Sequence, residues 1–87
     1  MNNILLAGNK VFIRTVTYHY TGEIVSVCSG MVVLKNAAWI ADEERFSDML
    51  TKGLLKEVDP FPDAVGIMLT SIVDITIWRH PLPVTQK

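Results

Sequence analysis

An all-β domain is what this sequence predicts: strongly bent antiparallel strands, about five in number, making a small barrel with one short helix. Three observations predict it. Residues 11–20, VFIRTVTYHY, are rich in the β-branched and aromatic side chains that suit a pleated, half-buried surface. Turn signals at Thr21-Gly22 and Ser29-Gly30 lie so close together that the strands they join must be antiparallel neighbours, because a parallel crossover needs a dozen residues or more. Finally, residues 66–78 hold Ile67, Leu69, Ile72, Val73, Ile75 and Ile77, too dense a set for one buried face.

Taken in order, the first strand starts at Val11, and Thr21-Gly22 marks a turn or a strong bend. Glu23 to Val27 forms the second strand, Ser29-Gly30 a tight turn, and Met31 to Ile40 the third strand. The character then changes. Asp42-Glu43-Glu44 opens a polar stretch, Phe46, Met49 and Leu50 recur at helical spacing, and Lys52 and Gly53 close it. These are the charge and cap preferences of a short helix. Such a helix persists only where its apolar residues pack on something. A short extended piece is expected at 54–58, and Asp59-Pro60-Phe61-Pro62-Asp63 reads as a rigid loop. Residues 66–78 are either one strand covered on both sides or two short strands bent near Thr70-Ser71. Residues 84–87 read as a frayed tail.

Eighty-seven residues make one domain, 1–87, with 41–65 as an insertion carrying the helix and the proline-rich loop. A chain of this length buries only about 60% of its unfolded surface, so its core is marginal. Yet 49% of its residues are hydrophobic, and Cys28 is the one cysteine, so no disulfide supplements that core. Association between copies is the natural destination for the excess apolar surface. Eight Lys and Arg against nine Asp and Glu leave a net charge of −1, without the basic stripe that tight nucleic-acid binding needs. The opening MNNILLAGNK lacks a basic segment and does not read as a signal peptide. Asp74 interrupts the most apolar segment, so no membrane span is expected. A single thiol fits a reducing compartment, and the cytoplasm is the expected location.

No catalytic constellation is expected. His19 and His80 are the only imidazoles, and neither sits in a nucleophile–base pattern. One Cys and two His without ligand spacing do not make a zinc site, and the five glycines are scattered singly, so no metal or cofactor is expected. Cys28 reads as a small semi-buried filler and His80 as a solvated residue at the end of a strand. Trp39 and Trp78 suit burial in a core or between subunits.

Residues 22–36, GEIVSVCSGMVVLKN, resemble the first motif of the Sm-like proteins, the LSm/Hfq type. Gly22, Ile24, Val27 and the run Met31 to Leu34 stand in its register. Met68-Leu69-Thr70-Ser71-Ile72-Val73 is a weaker likeness to the second motif. The resemblance implies a five-stranded Sm-like/SH3-like barrel in which Gly22, Ile24, Val27 and Leu34 are structural. It also implies cyclic homo-oligomers of about five to seven copies joined through strand edges. The interface candidates are then Ile67, Met68, Leu69, Ile72, Ile75 and Ile77. If RNA is bound, the same comparison selects Ser29, Gly30, Met31, Lys35, Thr70 and Ser71. The chain departs from the family by having Cys28 for an aspartate, Leu69-Thr70 for a basic pair, and a longer spacer over 37–65. The implied function is a ring-forming scaffold or interaction module. An RNA-binding ring and a small adaptor for a partner protein are the alternatives.

Overall fold

A computed structural model describes residues 4–41, 50–53, 55 and 57–85 of the chain. Six antiparallel strands are present among them: β1 (Lys10–Thr15), β2 (His19–Cys28), β3 (Met31–Ile40), β4 (Val58–Pro60), β5 (Val65–Met68) and β6 (Ile72–Ile77). A 3-10 turn over Leu69–Ser71 separates the last two. Residues 50–52 are helical, the described end of one short helix. Asp42, Glu43, Glu44, Phe46 and Met49, which the sequence assigned to that helix, lie outside the described residues.

The strand order is β4-β3-β2-β1-β6, with β5 also on β3. Two long strands bend to serve both parts of this arrangement. The start of β3 pairs with β5, Met31 opposite Met68 through Leu34 opposite Val65, while its end pairs with β4. Strand β2 loses register with β3 between Thr21 and Glu23 and again between Ile24 and Ser26. Gly22 sits at the first break for a steric reason: a Cβ there would stand 3.0 Å from the Leu34 side chain and 3.3 Å from that of Ala37. Ser29 and Gly30 both adopt positive φ, at 52° and 72°, the backbone of a two-residue hairpin turn.

The expectation of five strands is corrected to six. Of the two readings of 66–78, the bent pair is the one observed. The proline loop starts later than expected, because Val58–Pro60 pairs with Ile40 to Ala38. Of the two readings of Thr21-Gly22, the bend is the one observed, at the register break inside β2, and the turn before β2 lies earlier: residues 11–20 are not one strand, and the chain reverses at 16–18. The cause is a side chain. The Thr15 hydroxyl donates to the Tyr18 carbonyl at 2.7 Å and accepts from the Tyr18 amide at 3.0 Å, so the turn is closed by contacts an extended strand cannot make.

Two apolar clusters lie on opposite faces of the sheet. Val11, Ile13, Ile24, Val32, Leu34, Ala37 and Ile67 form the first, with Tyr20, Phe61, Ile72, Ile75 and Ile77 packed against it. The second joins Phe12, Ala38 and Ile40 to Leu55, Val58 and Trp78, with Leu50 and Leu82 alongside. The sheet is therefore covered on both faces. Its second cover is tied down by polar contacts: Lys10 Nζ donates to the His80 carbonyl at 2.7 Å, and His80 Nε2 lies 2.8 Å from the Leu50 carbonyl. His80 is thus half-buried and engaged, not solvated as expected.

Candidate functional site

Three strands have a single partner among the described residues: β4, β5 and β6. An unpaired edge exposes backbone donors and acceptors that another strand can satisfy, and proteins usually blunt it with proline, charge or brevity. Strand β4 is blunted in all three ways, being three residues long with Asp59 and Pro60 among them. Strand β5, Val-Gly-Ile-Met, carries no charge and no proline.

Which backbone groups face outward follows from alternation along a strand. The Leu69 amide donates to the Gly30 carbonyl at 2.8 Å, so the polar groups of Ile67 face β3 and those of Gly66 and Met68 face away. At the other end of the sheet the Trp78 amide donates to the Lys10 carbonyl at 2.9 Å. Thr76 and Asp74 then face β1, and the groups of Ile75 and Ile77 face away. Among the described residues, and apart from the blunted β4, outward hydrogen-bonding rows lie on β5, which pairs β3, and on β6, at the β1 end of the strand order.

The single charge on β6, Asp74, is already engaged. Arg14 on β1 donates from Nε to both carboxylate oxygens, at 2.9 and 3.1 Å, and from its terminal nitrogen as well. Those hydrogen bonds hold the Asp74 carboxyl below the usual carboxylate range, and the same contact raises Arg14 further. The pair lies across the β1–β6 ladder, since Arg14 is the register partner of Asp74.

Strand β5 borders a cleft of about 490 Å³. It is lined by Gly66, Ile67 and Met68 of β5, by Thr15, Val16 and Thr17 at the first turn, and by Tyr20, Thr70 and Ser71. The lining includes no charged side chain. Val16 is 87% exposed and Met68 49%. Met31 lies over Gly66, its sulfur occupying the space a Cβ at that position would need.

The structure brings part of the suggested RNA set together. Gly30 and Met31 lie against Leu69 and Met68, through the Leu69 amide on the Gly30 carbonyl and the pairing of Met31 with Met68, which brings the Ser29–Met31 turn to the segment that leads into Thr70 and Ser71. It does not bring Lys35, which sits at the other end of the β5-paired segment, 3.7 Å from Glu23 on β2. Of the interface candidates, Met68 is exposed, Ile67 is buried, and Leu69, Ile72, Ile75 and Ile77 are half-buried against the first cluster. Val73, outside that set, is 61% exposed. Gly22, Ile24 and Leu34 are buried, and Val27 is exposed. Cys28 is exposed rather than semi-buried.

An aromatic group went unrecognised in the sequence. Tyr18 stacks on Trp39 at 4.5 Å between centroids, Phe61 meets Trp39 edge-on at 5.7 Å, and Tyr20 lies parallel to Phe61 at 6.2 Å. The spacing of Tyr18 and Tyr20 was a signal that both rings share a face.

Among the described residues, no group of three or more His, Cys, Asp or Glu is placed to hold a metal ion. No described helix is long and apolar enough to cross a membrane. No family model matches the chain, and no curated protein or solved structure matches it either.

Proposed function

We propose that this chain is a building block that assembles with copies of itself, head to tail, into a ring used as a scaffold or interaction module. The observation that carries the reading is the contrast between edges. Strand β4 is protected by Asp59 and Pro60, while β5 and β6 keep outward backbone groups with no proline and no unpaired charge. One open row lies on the β3 side and the other on the β1 side, so a contact of β5 with the β6 of another copy is heterologous. Repetition of such a contact gives a ring when its rotation closes. The size of about five to seven copies is carried from the Sm-like motif resemblance, with cyclic closure as its geometric condition.

Neutrality supports the same reading. The cleft beside β5 has no charged lining, and the only charge of β6 is turned to Arg14. RNA binding is the weaker alternative, because Lys35 is directed to Glu23 and the chain is slightly acidic. Native mass spectrometry of the purified protein at micromolar concentration tests the proposal. One discrete species of several copies is expected, with an ultraviolet absorbance ratio of protein alone. A monomer at every concentration would refute assembly, and co-purifying nucleic acid would favour the RNA-binding ring.

A further inference from the structure

We infer that the turn at 15–18 is a clamp for the incoming strand, with Val16 as its anchor; the inference rests on self-assembly through the β5 edge. Val16 is the most exposed large apolar side chain among the described residues, at 87%. A valine so exposed contributes little to the fold of its own chain. The turn that presents it is nevertheless firmly built, by the Thr15 amide on the Tyr18 carbonyl at 2.9 Å and by both hydroxyl contacts of Thr15. Stacking of Tyr18 on Trp39 fixes the far end of the turn to β3. An apolar knob on a preorganised support avoids the ordering cost that a flexible loop incurs on binding.

Position matters as much as rigidity. Val16 and Thr17 line the same cleft as Gly66 and Met68, so a strand laid along β5 on that side meets the turn as well as the edge. The occupant is β6 of a second copy. Its outward row at Ile75 and Ile77 carries backbone groups to match Gly66 and Met68, and its aspartate is withdrawn to Arg14, which suits an uncharged cleft. The same copy brings the exposed Val73 as an apolar counterpart for Val16 and Met68.

The test is the full chain with Val16→Ser, compared with the parent by sedimentation equilibrium and by a thermal melt under monomeric conditions. Self-association is expected to weaken roughly tenfold or more, the scale of one buried aliphatic contact, with an unchanged melting temperature. Thr15→Val, which removes the hydroxyl contacts and keeps Val16, is expected to weaken assembly to a lesser degree. A parent that assembles and a Val16→Ser variant that assembles as tightly would overturn the clamp and leave edge assembly standing. A parent that stays monomeric would overturn both.

Discussion

At the scale of single residues, the clearest prediction concerns Thr21. It is the one buried polar side chain among the described residues, and its hydroxyl has no hydrogen-bond partner there. It lies on the same face as Phe12 and Ala38, its register partners in β1 and β3, both in the second apolar cluster. Burying an unpaired hydroxyl costs about 1–3 kcal/mol, whereas valine fills the same volume without that cost. Thr21→Val is therefore expected to stabilise the fold by about 1 kcal/mol in urea titrations, and a clear loss of stability would show that the hydroxyl has a partner. Asp74 behaves oppositely. Its folded carboxyl is lowered chiefly by the Arg14 hydrogen bond, so it binds its proton less readily than in the unfolded chain. The stabilisation is present above the unfolded value of about 3.9 and is lost as acid titrates the folded group. The effect is small, because both side chains are solvent-exposed. Stability curves of the parent and Asp74→Asn should differ at neutral pH and converge in strong acid; parallel curves would contradict the assignment.

Among the elements, the second cover of the sheet decides stability. Trp78 and Phe12 are its largest side chains, 5.5 Å apart between ring centroids, and Trp78 also donates from Nε1 to the Pro81 carbonyl at 3.2 Å. Trp78→Ala should cost about 3–5 kcal/mol, a large part of the stability of a domain this size, and calorimetry should show a collapsed or much lower transition. A change below about 1 kcal/mol would mean that the cover is not cooperative with the sheet. Strand β3 was legible to the residue, because a continuous apolar start, Met31 to Leu34, follows an unmistakable Ser29-Gly30 turn. The turn at 15–18 was not, since it depends on a threonine hydroxyl inside a run of strand-formers. The second cluster was half legible. Val11-Phe12-Ile13 and Ala37-Ala38 are adjacent apolar residues, the pattern of strands covered on both faces, but what supplies the second cover is set by tertiary contacts of Leu55, Trp78 and Leu82.

For the whole molecule, the excess of apolar side chain now has an address. Much of it lines two clusters instead of one, and the remainder includes Val16, Met68 and Val73, around the ends of β5 and β6. The candidate site was legible only in part. The sequence pointed to Met68 and to the β5–β6 segment, but the cleft also depends on the turn at 15–18, which no local pattern near residue 68 announces. The proposed contact joins unlike edges, and that makes it separable. Met68→Lys places a charge on β5 and leaves β6 open; Val73→Lys does the reverse, in the manner of natural edge protection. The most direct measurement is the native mass of each variant alone and of their equimolar mixture. Each alone should run as a monomer, and the mixture should give a one-to-one dimer that grows no further. Assembly of either variant by itself, or a mixture that stays monomeric, would contradict pairing between β5 of one copy and β6 of the next.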